Sequence, residues 1–184
     1  MSGIDSELWT EKTQELVSGA YHAAVKAGNL LVYPAHLALQ MLEDKSEFAM
    51  KLISKCGANP TAITGSVRGA VKKIASQDPP PSSVSFAPAL TKVLNTAEKV
   101  SKEMNDQYLA VDALFLGLFA DKAMGDIFHE HKLEQATAKE VIKEMRGGRK
   151  VESKSAEETY EALSKYGHDL VADAADGKLD PVIG

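Results

Sequence analysis

The feature that most constrains this chain is a proline-rich stretch, Gln77 to Pro88, that divides it into two halves. The stretch reads QDPPPSSVSFAP and contains four of the seven prolines together with three serines. Proline donates no backbone hydrogen bond, and it disfavours helix in the residue before it. We therefore predict a linker between two segments of the chain.

The two segments flanking this linker are copies of one pattern. When 77 is added to the residue numbers of the first half, apolar and charged positions of the two halves coincide. The coincident positions are Val17 with Leu94, Ala20 with Ala97, Leu37 with Leu114, Leu39 with Leu116, and Asp44-Lys45 with Asp121-Lys122. Such repetition predicts an internal duplication about a proline-rich hinge.

The first half, about residues 10–76, has the apolar periodicity of four helices. Thr10 is the predicted N-cap of the first helix, and Gly28 supplies its end. Pro34 opens a second helix that is apolar nearly all round and therefore predicted to be buried. Two further amphipathic segments complete this half.

The second half, about residues 89–146, repeats this order. An apolar stripe from Leu90 to Met104 precedes a second apolar helix, for which Asp112 is the predicted N-cap. In the last two helices the register slips by a residue or two, and no segment has a convincing strand pattern. We predict an all-α fold in which two four-helix repeats pack about a pseudo-twofold axis.

Neither repeat alone would cover its apolar faces, so residues 6–148 are predicted to form one domain with its hinge at 77–88. Residues 149–184 carry five Lys or Arg against eight Asp or Glu and few apolar side chains, which predicts a linker. The chain ends in GKLDPVIG, a turn signal with nothing after it, so we expect the intact polypeptide to continue.

Composition excludes several classes of partner. The net charge is -5 with both signs interleaved, so no basic stripe is available for nucleic acid. The single cysteine, Cys56, excludes an internal disulfide and a multi-cysteine zinc site, and it fits a reducing compartment. Neither a basic leader nor a run of about eighteen apolar residues is present. We predict a cytoplasmic protein with no leader and no membrane span.

No arrangement in the sequence predicts catalysis or a metal site. The glycine-rich phosphate-binding loop with its Gly-Lys-Ser/Thr ending is missing, so no nucleotide cofactor is expected in this chain. No histidine lies near Cys56, and His129 and His131 would point to different sides of a helix. His36 is predicted to be a hydrogen-bonded core histidine, and Glu157-Glu158 are predicted to be solvated acidic residues.

The C-terminal sequence YGHDLVADAADGKLDPVIG, residues 166–184, resembles the junction that leads into the first ATPase module of the Hsp100/ClpB disaggregases. Residues 33–39 and 110–116 resemble the repeated helical block of that family's N-terminal domain. Arg146-Gly147-Gly148 is similar to the Arg-Gly-Gly at which that domain stops, and residues 106–121 are most similar to the eukaryotic cytosolic Hsp101/Hsp104-like type. The resemblance covers almost the whole chain.

This resemblance implies a function for the whole protein and for this part of it. The intact protein would be an AAA+ ATPase, a hexamer that uses ATP and Mg to thread aggregated polypeptides through a central pore beside an Hsp70 system. This chain would be its mobile, monomeric receptor for unfolded or aggregated polypeptides. Such a receptor needs exposed apolar surface and is expected to bind weakly and promiscuously.

Six substrate-binding residues are also implied by the resemblance. Three match polar positions that the family links to chaperone activity and three match apolar positions of its proposed peptide groove: Thr10, Asp106 and Asp112, then Leu94, Val100 and Ala113. Ala113 departs from the larger side chain that is common in bacterial relatives, which implies a shallower groove. The groove is expected between the start of the first helix and the helices at Leu90–Met104 and Asp112–Phe119.

The same residues also suit structural roles. Thr10 and Asp112 are helix caps in this interpretation, Leu94 and Val100 are core residues, and Asp106 forms a turn. Two other functions also remain open. The domain could dock a folded adaptor for a Clp unfoldase that feeds a protease, or it could be a spacer that regulates access to the pore.

Overall fold

The structure, a computed structural model, describes residues 6–157, and it confirms the predicted all-α fold. Short 3-10 helices lie at Ser6–Leu8 and Leu118–Ala120. The eight α-helices of the described residues are α1 (Glu11–Lys26), α2 (Pro34–Leu42), α3 (Phe48–Lys55), α4 (Pro60–Lys72), α5 (Pro88–Glu103), α6 (Val111–Gly117), α7 (Lys122–Glu130) and α8 (Gln135–Arg146).

The offset of 77 residues holds for the backbone as it does for the sequence. Adding 77 to the bounds of α1 gives those of α5, and adding it to the start of α2 gives the start of α6. The slip occurs at the third and fourth helices, because α7 begins three residues and α8 two residues before the positions that α3 and α4 predict. Each repeat therefore has the same path, with the main difference at its end.

Two short parallel pairings join the repeats, and they contradict the prediction that no strand is present. Strand β1 (Leu31–Val32) pairs with β2 (Ser85–Phe86), and Trp9 forms an isolated bridge with Leu109. The offset of 77 relates Val32 to Leu109 and Trp9 to Phe86, so one pairing is the symmetry copy of the other. A two-residue strand is too short to show an alternating pattern, which is why the sequence gives no sign of it.

The helix contacts between the repeats follow the same symmetry. Helix α3 packs on α8 and α4 on α7, while α1 contacts α6 and α2 contacts α5. The buried apolar side chains of both halves form one continuous cluster. Neither repeat thus has a separate core. Each repeat needs the other to bury its apolar side chains, as is typical of repeat architectures.

The proline-rich stretch is tied to the first repeat at both of its ends. The Gln77 N–H donates to the Gly28 carbonyl at 2.8 Å, and the Ala87 N–H donates to the Val32 carbonyl at 2.9 Å. Residues between these two attachments are mostly exposed. Within residues 6–157, no helix is long and apolar enough to cross a membrane.

Helix α6 approaches α5 closely at Gly117, and this contact gives a first prediction. A Cβ atom at Gly117 would lie 2.7 Å from the Val93 carbonyl oxygen and 3.0 Å from the Ala97 Cβ. We expect Gly117→Ala to lower the free energy of unfolding by about 1–3 kcal/mol, because neither backbone can yield cheaply. Urea denaturation followed by circular dichroism measures this change.

Gly65 provides the matched control, because it lies inside α4 with nothing within 4 Å of its missing Cβ. Gly65→Ala is expected to stabilise the protein by roughly 0.5–1 kcal/mol. Equal effects of the two substitutions would contradict the close packing of α5 and α6.

Candidate functional site

Two of the six predicted site residues, Asp106 and Asp112, meet at one polar network, whose centre is Arg146. This arginine is the last residue of α8, and Gly147 follows it in a left-handed conformation with φ of 58°. The turn at Gly147 ends the helix and leaves the guanidinium inside the domain, where its side chain is only 9% exposed. Arg146 was predicted only as part of a helix stop, so its role here is new.

Arg146 binds two carboxylates at once. Its Nη1 and Nη2 donate to the two oxygens of Asp106, both at 2.8 Å. Its Nε and Nη2 donate to the two oxygens of Asp112 at 2.6 and 2.9 Å. Both pairs are bidentate, which is the strongest geometry available to a guanidinium.

The position of Asp112 corrects the prediction that it caps a helix. Helix α6 begins at Val111 with Ala110 as its N-cap, so Asp112 is the second helical residue. Its carboxylate accepts from the Ala113 N–H at 2.8 Å and from Arg146. From the sequence, an aspartate near the start of a helix is equally consistent with an N-cap. The contact with Arg146, which is distant in sequence, shows that Asp112 is instead an ion-pair partner.

The two carboxylates keep Arg146 charged. Burial lowers the pKa of Arg146, but the hydrogen bonds and the negative charges of Asp106 and Asp112 outweigh this and hold the pKa above its ordinary value. The network therefore carries two negative charges and one positive charge in a place with little access to water. Such a network is stable only while all three members are present.

A segment predicted to be linker packs against this network. We call residues 151–157 the strap. Val151 and Ala156 are buried, and they pack with Ala110 and the half-buried Tyr108. The prediction of a linker from residue 149 thus places the end of the packed chain too early. The rest of that predicted linker, residues 158–184, lies outside the described residues.

Backbone hydrogen bonds hold the strap in place. The Gln107 N–H donates to the Val151 carbonyl at 2.8 Å, and the Glu11 N–H donates to the Lys154 carbonyl at 2.7 Å. The Val151 N–H donates to Asp106 Oδ1 at 3.0 Å. Asp106 thus connects the strap to the arginine network.

Thr10 and Glu157 complete the contact, and Glu157 corrects the prediction that it is solvated. Thr10 is the N-cap of α1, as predicted, and accepts from the Thr13 N–H. Its hydroxyl and the Val111 N–H both donate to Glu157 Oε2 at 2.9 Å. Glu158 lies outside the described residues.

The Glu157 carboxyl is an imperfectly satisfied group. Burial raises its pKa, an effect that the hydrogen bonds from Val111 and Thr10 oppose and the nearby charge of Asp112 reinforces. Glu157 Oε1 is buried and has no hydrogen-bond partner among residues 6–157. Thr10 and Val111 therefore form hydrogen bonds with only one of the two oxygens of the Glu157 carboxylate.

The three apolar site residues lie in the core. Leu94 is 1% exposed, Val100 7% and Ala113 0%. In the described structure they do not line an open groove, since the core encloses them. Whether any of the six predicted residues contacts a substrate stays a prediction.

An open cleft lies beside the strap. Leu8, Trp9, Glu98, Lys102 and Gln107 are among the residues that line it. The offset of 77 relates Lys102 to Val25 and Gln107 to Leu30, so the first repeat has a corresponding surface with an apolar rim. The residues that line the cleft lie near the end of α5 and in the neighbouring segments, and they form no recognisable sequence motif.

His36 is a buried, hydrogen-bonded histidine, as predicted. Its Nδ1 accepts from the Tyr33 N–H at 2.9 Å, so its Nε2 carries the proton and donates to Asn29 Oδ1 at 2.8 Å. Asn29 Nδ2 donates to the Ala75 carbonyl at 3.1 Å. Burial lowers the pKa of His36, which keeps it neutral near pH 7.

Cys56 and His131 both have structural positions within residues 6–157. Cys56 follows α3 as its C-cap, and burial raises the pKa of its thiol, which makes it a poor nucleophile. His131 Nε2 lies 2.9 Å from the Ser66 hydroxyl and links α7 to α4. Across residues 6–157, no group of three His, Cys, Asp or Glu side chains could hold a metal ion.

Comparison with known proteins gives the chain a family. The sequence pattern of the family described as Clp repeat (R) N-terminal domain matches residues 8–131. The chain is 33% identical over 187 residues to chaperone protein ClpB of Nitratidesulfovibrio vulgaris, with 98% of this chain and 22% of that protein covered. It is 30% identical over 180 residues to heat shock protein 104 of Schizosaccharomyces pombe, with 96% and 20% covered. The chain thus spans about a fifth of the length of these relatives.

Solved structures give the same result. The fold is similar to the Hsp104 N-terminal domain from Candida albicans, with a TM-score of 0.73 at 25% identity over 80% of this chain and 97% of that chain. It is also similar to the ClpV N-domain solved in complex with a VipB peptide, with a TM-score of 0.60 at 14% identity over 74% and 86%. The second similarity concerns the fold alone.

The arginine network predicts a large effect of removing its cation. Arg146→Met is expected to lower the free energy of unfolding by about 3–5 kcal/mol, because two buried carboxylates lose their partner. Arg68→Met is the matched control, since Arg68 forms an ion pair with Glu43 at 2.7 Å but is 49% exposed. That control is expected to change stability by at most about 1 kcal/mol. Urea denaturation of both variants tests the difference, and equal losses would contradict the network.

His36 predicts a dependence of stability on pH. Its folded-state pKa is lowered below the ordinary 6.5, so the neutral form stabilises the fold above that pH, and this contribution is lost as the pH falls. The stability difference between the parent chain and His36→Gln should therefore shrink between pH 7 and pH 5, by at most ~1.4 kcal/mol per pH unit. Denaturation across this range measures it, with His129→Gln at an exposed histidine as control. A constant difference for His36→Gln would refute the assignment.

Proposed function

The chain belongs to the Clp repeat N-terminal domain family of ClpB- and Hsp104-type chaperones, and we propose that it binds exposed apolar segments of unfolded or aggregated polypeptides. In the intact protein this binding would supply substrate to an AAA+ ATPase that requires ATP and Mg. The hexamer and the Hsp70 system belong to the same proposal, because the chain spans only about a fifth of its relatives.

The observation that carries the proposal is an exposed apolar patch, which we define as Val25, Leu30 and Tyr33. These side chains are 40%, 46% and 37% exposed, although the chain has ample core in which to bury such residues. They lie within nine residues of one another, around the end of α1 and strand β1. Apolar surface that remains in contact with water is what a receptor for unfolded chains requires.

The patch supports binding at a place other than the predicted groove. The offset of 77 relates Val25 and Leu30 to Lys102 and Gln107, which line the cleft beside Trp9. At these two positions the same backbone framework thus presents apolar side chains in the first repeat and polar side chains in the second, where the cleft also includes the exposed Leu8. An unfolded polypeptide has apolar side chains in no fixed order, and it should favour the apolar rim.

Adaptor docking is the alternative proposal. The strap supports it, because a short segment is held there by specific backbone and side-chain hydrogen bonds. The ClpV N-domain, which shares this fold, was solved with a VipB peptide. A folded adaptor would be recognised at one such defined site, whereas unfolded substrates would share a general apolar surface.

An NMR titration with an unfolded polypeptide tests the main proposal. Reduced, carboxymethylated α-lactalbumin should shift signals around Val25, Leu30 and Tyr33, while native α-lactalbumin should not. Val25→Ser/Leu30→Ser is expected to weaken this binding about thirtyfold, since two exposed apolar contacts are lost at roughly 1 kcal/mol each.

The matched control is Lys102→Ser/Gln107→Ser at the symmetry-related positions. All four side chains are exposed, so both double variants should fold normally. If both variants bind equally well, or if native α-lactalbumin binds as well as the unfolded form, the apolar patch is not the receptor surface.

A further inference from the structure

Helices α3 and α4 carry a cluster of exposed basic side chains, although the chain as a whole is acidic. Residues 48–77 contain five Lys or Arg and no Asp or Glu, whereas the net charge of the chain is -5. The five cations are exposed and lie on α3, on α4 or directly after α4. We call them the basic face, which consists of Lys51, Lys55, Arg68, Lys72 and Lys73. This part of the chain is therefore a local exception to the interleaving of charges in the sequence.

The basic face spans two helices that are in direct contact. The Thr64 hydroxyl of α4 donates to Met50 Sδ of α3 at 3.6 Å, next to Lys51. Arg68 and Lys72 lie on α4 about one and two turns beyond Thr64, and both are exposed. The buried residues of α3 and α4 include no charged side chain. The positive charge of both helices is therefore directed toward solvent.

Neighbouring acidic side chains neutralise only part of this charge. Arg68 forms an ion pair with Glu43 at 2.7 Å, and Glu47 precedes α3 as its N-cap. Within residues 6–157, none of the four lysines of the basic face forms an ion pair. Five positive charges against two negative charges leave the face with a net charge of +3. Helices α7 and α8, which pack on α4 and α3, carry both signs.

The segment that follows the described residues has the opposite charge. Residues 158–184 contain six Asp or Glu and two Lys, which gives a net charge of -4. The acidic residues are distributed along the segment: Glu158, Glu161, Asp169, Asp173, Asp176 and Asp180. Complementary charge on two surfaces favours their association and disfavours association with partners of the wrong sign.

This acidic segment begins close to the basic face. Glu157, the residue before it, accepts a hydrogen bond from the Val111 N–H at 2.9 Å. Val111 lines a narrow crevice together with Phe48 and Ala49, the first two residues of α3. A chain of 27 residues spans up to about 90 Å, whereas α3 and α4 are only about 12 and 20 Å long. The segment can therefore reach every cation of the basic face.

We propose that the basic face is a docking surface for the acidic segment 158–184 of the same chain. Exposed ion pairs are individually weak, but several act together here, and the tether gives the segment a high effective concentration. Docking is reversible and weakens as salt screens the charges. It involves no residue of the apolar patch or of the arginine network. The direction in which the chain leaves the domain then depends on ionic strength.

Paramagnetic broadening in the whole 184-residue chain tests the docking. A nitroxide is attached at Ser164→Cys in a Cys56→Ser background, which leaves one thiol for labelling. We expect it to broaden the amide signals of α3 and α4 at about 20 mM salt and to lose this effect at about 0.5 M salt. Amide signals of α5 should not respond to salt in this way.

Charge reversal identifies the cations that are responsible. Lys51→Glu/Lys72→Glu should reduce the broadening on α3 and α4 at least about threefold, because it removes attraction and adds repulsion. Lys92→Glu/Lys99→Glu is the matched control, since it changes the net charge equally at exposed lysines of α5. Broadening that both variants reduce equally would overturn the basic face as the docking surface.

A charge swap distinguishes specific pairing from a general effect of net charge. Asp169→Lys/Asp173→Lys should restore the broadening in the Lys51→Glu/Lys72→Glu chain. A mixture of spin-labelled chains with unlabelled, ¹⁵N-enriched chains shows whether the segment docks on its own chain. Broadening in the mixture would assign the segment to a second copy and overturn the proposed occupant.

Proteolysis gives a second readout that needs neither the label nor the Cys56→Ser substitution. A glutamate-specific protease should cleave after Glu158 and Glu161 at least about threefold faster in Lys51→Glu/Lys72→Glu than in the parent chain, because docking protects the segment. The Lys92→Glu/Lys99→Glu chain should be cleaved at the parent rate, and circular dichroism verifies that both variants are folded. Equal cleavage of all three chains, or no broadening of α3 and α4 at low salt, overturns the proposal.

Discussion

The ion pairs of Arg146 are the interaction on which the second half of this domain depends. One guanidinium fixes Asp106, which follows α5, and Asp112, which lies at the start of α6, from the end of α8. The end of α8 is thereby held against the α5–α6 junction, which lies 34 to 40 residues earlier in the chain. Asp106 also accepts the Val151 N–H, so the same network sets the position of the strap. A buried guanidinium of this kind stabilises the fold only because both carboxylates bind it with two hydrogen bonds each.

The duplicated framework has a different polar centre in each repeat. Asn29 and Asp106 are related by the offset of 77, and both fasten the segment that leaves the fourth helix of their repeat. Asn29 donates to the Ala75 carbonyl and is held by neutral His36, whereas Asp106 accepts from Val151 and is held by charged Arg146. One backbone geometry thus accommodates an amide with a histidine or a carboxylate with an arginine. The first arrangement weakens when His36 is protonated, whereas in the second the hydrogen bonds and negative charges of the two carboxylates hold the pKa of Arg146 above its ordinary value.

Local and repeated features of this protein could be predicted from its sequence, whereas its long-range polar contacts could not. The offset of 77 predicted the equivalence of α1 and α5, and Thr10 was identified as a cap because its partner lies three residues away. Asp112 was misassigned because its partner lies 34 residues away. Glu157 was predicted to be solvated because residues 149–184 are rich in acidic side chains. The nearby apolar residues Val151 and Ala156 were too few to suggest a packed segment. Val151 and Ala156 are buried because they pack against Tyr108 and Ala110, and this contact cannot be predicted from amino-acid composition.

The energies of the strap are closely balanced, and this sets it apart from the rigid core. Ordering seven residues costs roughly 7 kcal/mol at the low end of the usual range for backbone entropy. Five hydrogen bonds contribute about 1 kcal/mol each, and burial of Val151 and Ala156 adds about 3 kcal/mol. The net contribution is therefore close to zero, in contrast to the several kcal/mol that the arginine network protects.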